Sequence, residues 1–464
     1  MKRFPGHTKI SVARRRRQGG ITMLLFGFSL MVLIPVIGLA VDVSLMHMAQ
    51  TKLTAAADAA ALAGARALSR GADSAAQEQA AADTALSYFH KNFPNGYLST
   101  GTIGDPTVTV VNTGPLRTVT VTSMVLFPST FMRLFGPAAN NTPINTVAIA
   151  TRRDVNVVLV LDHSGSLGTS GSCTPMKAAA TAFLSHFALG RDNVGLVTFA
   201  TGSAVDVPLN SSFTSGATDI GTVIAGINCN NSTNSSSGLW RAYKELAALG
   251  QPGALNAILF FTDGMPTSFT AWNHVTDTGC SAKGWTAGVI GYTGVGNPIQ
   301  TATQSESVLP STGCSWSGGM NPADVTEVAN RDAWGNPIDT TYASVTVTGS
   351  TLPPDSTNMQ NASVNATISA AQRIRSGVET VTWTSPTVSV SSGQSVPRVT
   401  IFSIGLGNSG APPDANLLMT VSNDPRAPSP DSGTAIGLYI YAPDVAALGP
   451  AFQRVASEML RLAR

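Results

Sequence analysis

Five oxygen-bearing side chains stand at spacings that could do chemistry. Asp162, Ser164 and Ser166 form the cluster Asp162-His163-Ser164-Gly165-Ser166, Thr233 lies in the polar stretch NCNNSTNSSSGL, and Asp263 ends the run FFTD ahead of Gly264. Two carboxylates and three hydroxyls, with water at hand, make an all-oxygen donor set. Such a set suits a hard divalent cation of octahedral habit, Mg2+ or Mn2+. No Cys or His constellation in the sequence competes for zinc. Each residue alone has a plainer use: Ser164 and Ser166 as helix caps, Thr233 as one loop hydroxyl among many, Asp263 as the opening of a turn. It is the set, in order, that points to a cation. His163, between the ligands, is expected to face solvent. A nucleophilic Ser164 would need a positioned base, and neither G-x-S-x-G nor G-x-x-x-x-G-K-[ST] occurs. Binding is therefore expected rather than an enzyme activity, with a Mg2+-dependent hydrolase as the alternative.

These residues need elements to bring them together. VNVVLVLD from Val155 is a continuous apolar run ending in an acid, as expected of a strand buried on both faces of a parallel sheet. A helix is expected over MKAAATAFLSHFAL, a strand over NVGLVTF, a helix over GLWRAYKELAAL, strands over NAILFFTD and VTIFSIGLG, and a closing helix over DVAALGPAFQRVASEMLRLA. Alternating strands and helices indicate a doubly wound α/β domain over residues 154–464, and ligands of such sheets bind at the carboxyl ends of the strands. Residues about 265–397, rich in Thr, Ser, Gly and Asn, read as an insertion, because a structureless loop of that length is foreign to a compact domain. Within it a helix is expected near Ser369 to Ser376, with short strands around SVTVTG and PTVSVSS. Its tryptophans, Trp272, Trp285, Trp316 and Trp334, are expected to form the insertion's own core.

The amino-terminal part is organised differently. Lys2, Arg3, Lys9 and Arg14 to Arg17 all precede the first acid, Asp42. Residues 1–20 thus form a basic head, and residues 21–41, uncharged from Ile21 to Val41, span roughly 30 Å at about 1.5 Å per residue. That is one bilayer crossing, with the head held on the cytoplasmic side by the positive-inside bias. The apolar run exceeds a usual signal-peptide core, so retention is expected rather than cleavage near Ala40. Pro35 should kink the span. Residues 42–105 read as an Ala-rich helical stalk, with helices to about Leu68 and from Ser74 to Asn92; small residues at helical spacing fit either packing against another such helix or a simple spacer. Residues 106–153 alternate with period two in three short strands and read as a small β adaptor. Lys and Arg number 28 against 26 Asp and Glu, and charged residues are 12% of the chain, which excludes a nucleic-acid binder.

The pattern D-x-S-x-S, then Thr233 five residues before Gly238-Leu239, then T-D-G at Asp263 resembles the metal-ion-dependent adhesion site (MIDAS) of von Willebrand factor A domains. That resemblance implies direct metal ligation by Ser164, Ser166 and Thr233, with Asp162 and Asp263 acting largely through water. It also implies an open position for a carboxylate from a protein partner. Leu167 stands where Met or Ile is frequent. A basic head, a glycine and an apolar helix resemble type IV prepilins, implying a cleavage site after Gly20. Leu25 replaces the acid of those subunits, so polymerisation as a pilin is not expected. The RRRRxGG head, the apolar span and TKLTAAADAAALAGARAL resemble TadG-like components of tight-adherence (Flp) pilus assembly systems. They imply a protein of the bacterial inner membrane, single-pass, with its C-terminal domain outside the cytoplasm and partners among pilus assembly components. A surface adhesin of the envelope is the alternative.

Cys173, Cys229, Cys280 and Cys314 all follow the span, where an oxidising compartment favours disulfides. Cys173 follows the first metal loop and Cys229 precedes Thr233, so Cys173 is expected to pair with Cys229, and Cys280 with Cys314.

Overall fold

The computed structural model describes residues 19–136, 140–275, 284–291, 330–332, 337–340, 342–343, 356–377, 381–384, 387–390, 398–407 and 413–463. Most of the basic head, Cys280, Cys314, Trp316, Trp334 and the segment SVTVTG lie outside them, as do the side chains of Trp272 and Trp285. Chain contacts divide the protein into two units. The first comprises residues up to Ala63 with Thr84–Thr109 and Thr120–Ile149; the second comprises Gly64–Asp83, Val110–Val119 and Ala150–Arg464.

An unbroken helix, α1 (Gly19–Ala67), contains the apolar run, Pro35 and the first Ala-rich stretch. It is followed by α2 (Ser74–Asn92) and by a three-stranded sheet of β1 (Thr107–Thr113), β2 (Leu116–Pro128) and β3 (Asn141–Arg153), in that order. Alternation along β2 places Val121, Val125 and Phe127 inside the first unit, where they are buried along with Ala49, Leu53, Ala56 and Ala60 of α1 and Phe89 of α2. The small residues of α1 are thus covered within this chain itself, and Thr146 of β3 hydrogen-bonds Thr54 of α1. Helix α1 meets the need for about 20 apolar residues to cross a bilayer, by length and composition.

The second unit is built on a six-stranded sheet. Its strands in chain order are β4 (Val155–Asp162), β5 (Asn193–Phe199), β6 (Ser203–Asn210), β7 (Leu255–Thr262), then, after two hairpins, β12 (Val399–Leu406) and β13 (Leu438–Ala442). The hairpins are β8 (Ser268–Val275) with β9 (Gly284–Gly291) and β10 (Val381–Thr384) with β11 (Thr387–Val390). In space the order is β13-β12-β7-β4-β5-β6, parallel except for the edge strand β6. Two short helices, α3 (Gly165–Thr169) after β4 and α5 (Ile220–Gly226) after β6, lie between the strands, and residues of β4 alternate between two cores. Val155, Val157, Leu159 and Leu161 face α4 (Cys173–Phe183) and α9 (Leu448–Leu462), joined by Met176, Phe183 and Phe452. Val158 and Val160 face α6 (Ser235–Leu249), α7 (Ser356–Ser376) and α8 (Ala415–Ser422), joined by Trp240, Ile368 and Leu418.

Helix α7 contains the expected helix and extends it toward the N-terminus. It begins at Ser356, well before the expected Ser369, and Val364, Ile368, Ala371 and Ile374 enter the second core. It lies on the crossover between β7 and β12. Asn365, Ser363 and Thr367 are also fully buried on it, which breaks the apolar period that would have announced it. The segment PTVSVSS does contain a strand, β11.

Candidate metal centre

Strand β4 pairs in parallel with β7, Leu161 beside Phe261, so their carboxyl ends adjoin. The chain leaves β4 toward β5 on one side and returns to β7 on the other, which makes this pair the switch point where such sheets bind ligands. Asp162 ends β4 and Asp263 directly follows β7. The two acids are neighbours because two buried strands are.

Asp162 Oδ1 accepts the Ser164 N–H at 2.8 Å, and its Oδ2 accepts the Thr262 hydroxyl at 2.6 Å. Ser164 Oγ and Ser166 Oγ lie 3.1 Å apart, and Ser166 Oγ donates to Asp263 Oδ1 at 2.6 Å. Asp162, Ser164, Ser166 and Asp263 therefore form one hydrogen-bonded chain. The loop of Thr233 is tied to the residues around that chain through the backbone of its neighbours, while Thr233 itself bonds the segment that follows Asp263. On one side the Gly165 N–H donates to Asn231 O at 2.9 Å and the Asn230 N–H to His163 O at 2.8 Å. On the other, Thr233 O accepts from the N–H groups of Thr267 at 2.9 Å and Ser268 at 3.1 Å, while the Thr233 N–H donates to Thr267 Oγ1 at 3.0 Å. Asn234, fully buried, caps α6 and donates to Thr201 O and Thr270 Oγ1, which fixes the residue after Thr233. The disulfide Cys173–Cys229, with Cα atoms 6.1 Å apart, ties the Thr233 loop to the start of α4 as the sequence suggested.

The electrostatics of the group are unbalanced. Asp162 is wholly buried, and burial first, then the charge of Asp263, pushes its carboxyl up to about 7. Burial raises Asp263 as well. Asp263 Oδ2 is buried without a hydrogen-bond partner among the described residues. A buried carboxylate oxygen without a donor is costly unless a cation meets it. The orphaned oxygen, the second carboxylate and the hydroxyls fit a hard divalent ion, and among the described residues no cluster of three His, Cys, Asp or Glu side chains forms. Thr262 and Thr267, which orient Asp162 and Thr233, were not singled out from sequence; the adjacency of β4 and β7 is what gives Thr262 its role. His163, expected at the solvent, is only partly exposed, with Nδ1 2.9 Å from Asn228 O. Leu167 is fully buried in the first core.

Two family models match. Residues 19–67 match the Flp pilus-assembly TadE/G-like family, and residues 157–265 match the von Willebrand factor type A domain. No curated protein matches the chain. Among solved structures, the pilus adhesin SpaC from Lactobacillus rhamnosus GG is 13% identical with a TM-score of 0.35, over 77% of this chain and 34% of SpaC. The chain thus spans about a third of the length of that protein. The vWF domain of the type V pili tip protein Mfa5 from Porphyromonas gingivalis is 17% identical with a TM-score of 0.39, over 68% of this chain and 98% of that one. The PilB minor pilin from Streptococcus sanguinis is 14% identical with a TM-score of 0.37, over 78% and 79% of the two chains. The chain carries a Flp pilus-assembly TadE/G-like segment at its N-terminus and an α/β von Willebrand factor type A domain in its C-terminal part.

Proposed function

We propose that the protein is a membrane-anchored, metal-dependent protein-interaction component of bacterial pilus assembly or anchoring, of the tight-adherence type. Ser164, Ser166 and Thr233 hold Mg2+ or Mn2+, and Asp162 and Asp263 hold it largely through water. Bound there, the ion supplies a positive charge that recognises a carboxylate from a protein partner. The observation that carries this reading is the unpartnered Oδ2 of buried Asp263 beside Ser166 and Asp162. The Flp pilus-assembly TadE/G-like match supports the pilus reading.

The reading is non-enzymatic. The Ser164 hydroxyl engages Ser166, and the His163 ring engages Asn228 O, which favours a binding site over the serine–base pair of a hydrolase. The uncharged part of α1 spans the inner membrane, with residues 1–20 cytoplasmic and the von Willebrand domain outside. The Cys173–Cys229 disulfide supports an oxidising compartment for that domain. The test is capture of pilus components from envelope extracts by the full-length protein, with and without chelator, beside Asp162→Ala. Capture lost on both treatments is expected; capture that survives both removes the metal from the mechanism.

A further inference from the structure

Between Thr22 and Val41 every residue of α1 is exposed except Pro35, which is half-buried, and Gly38, which is buried. Asp42, one turn further on, is 1% exposed. These positions recur at helical spacing, so one stripe of α1 is covered while the rest of the run is bare. The cover at Gly38 and Asp42 is the loop after β2. Asp42 accepts the N–H groups of Thr130 at 3.1 Å, Phe131 at 2.6 Å and Met132 at 2.7 Å. The Phe131 ring fills the place that a Cβ on Gly38 would take, so only glycine lets the loop lie this close. At a rise of about 1.5 Å per residue, Gly38 lies about 5 Å and Pro35 about 9 Å inside the end of the uncharged run.

With Ile21 to Val41 in hydrocarbon, the reading proposed above on which this inference rests, a side chain touching Gly38 cannot stand in bulk water. We propose that the loop Thr130–Arg133 is a foot seated in the lipid surface. Phe131 and Met132 enter the boundary between headgroups and acyl chains in the leaflet nearest Asp42, and Arg133 meets the headgroups. The depth is that of interfacial anchors, about 5–10 Å. Phe131 and Met132 are partly exposed and apolar, and Arg133 is exposed, so its guanidinium can reach the polar layer. Asp42 satisfies three backbone N–H groups that would otherwise lie unpaired where water is scarce. The foot sets how α1 is rotated in the bilayer.

The test uses the full chain with Cys280→Ser and Cys314→Ser, leaving the Cys173–Cys229 disulfide, in vesicles of phosphatidylethanolamine and phosphatidylglycerol. Nitroxide labels are placed one at a time at Met132→Cys, Arg133→Cys, Ile37→Cys in the apolar run and Thr107→Cys on exposed β1. Collision with oxygen, which partitions into lipid, is compared with collision with an aqueous nickel chelate. The oxygen-to-nickel ratio at Met132 is expected to be several-fold above that at Thr107 and close to that at Ile37, with Arg133 between. Arg133 is an exposed position, so its label keeps the test readable where Met132→Cys disturbs the loop. Labels at Met132 and Arg133 that match Thr107 while Ile37 remains in lipid would overturn the foot and leave the span standing. Shielding from both reagents would mean that protein covers the loop, which equally overturns the proposal. An Ile37 label in water would overturn the span, and the foot with it.

Discussion

Asp263 Oδ2 has no donor among the described residues, and the carboxylate it belongs to raises the proton affinity of Asp162. A divalent ion bound there would offset both costs at once. Asp263→Asn should therefore separate folding from metal binding. Without metal the variant should be as stable as the parent or more stable by about 1 kcal/mol, because a buried like charge is removed. The stabilisation by Mg2+, about 2.7 kcal/mol at a hundredfold excess over Kd, should vanish. Calorimetric melting with and without Mg2+ checks both, and a variant that keeps the Mg2+ shift would take Asp263 out of the site. Away from the centre, Asp424 has the opposite balance. Burial would raise its carboxyl, but hydrogen bonds from the Arg426 side chain and from the N–H groups of Tyr439 and Arg426 outweigh it and hold the carboxyl below its usual range. A depressed folded value means that this contribution is fully present above the unfolded value of about 3.9 and is lost as pH falls through the folded one. Asp424→Asn should cost about 1–3 kcal/mol at neutral pH and flatten the acid limb of the stability curve, as read by urea melts from pH 2 to 7.

Loops reach the centre only because the elements beneath them approach closely. A Cβ on Gly168 would stand 2.6 Å from Cys229 O, so Gly168→Ala must push the Thr233 loop away from the first metal loop. It should destabilise the domain by about 1–3 kcal/mol and weaken Mg2+ binding, both measurable by calorimetry. Replacing Cys173 and Cys229 by Ser together opens a loop of sequence separation 56 and should cost about 2–4 kcal/mol in denaturant unfolding. Legibility follows the same physics. Strands β4, β7 and β12 are buried at every residue, and their uninterrupted apolar runs show in the sequence. The edge strands β6, with exposed Ala204 and Asp206, and β13, with exposed Tyr441, lack that signal and were not foreseen. Helix α7 was foreseen only at its end, because buried Asn365 finds its partners in the backbone of Ala343, a contact made by tertiary folding alone. Asp162 and Asp263 stood out in the sequence because each ends a buried apolar run, whereas Thr262 needed the pairing of β4 with β7.

On the scale of the whole chain, a basic head and an apolar helix precede a disulfide-bearing domain with a candidate metal centre. In spheroplasts, a tag at the C terminus should be digested by added protease while the head is spared, and alkaline carbonate should not extract the protein; a protected tag would reverse the orientation. In the proposed function, all of the recognition chemistry depends on the ion. The most direct measurement is Mn2+ titration of the purified full-length protein, with free Mn2+ followed by its EPR signal and Mg2+ as competitor. Uptake of a single ion per chain, displaced by Mg2+ and abolished by Asp162→Ala, is expected. No uptake by the parent protein, or equal uptake by the variant, would contradict a metal centre at the ends of β4 and β7.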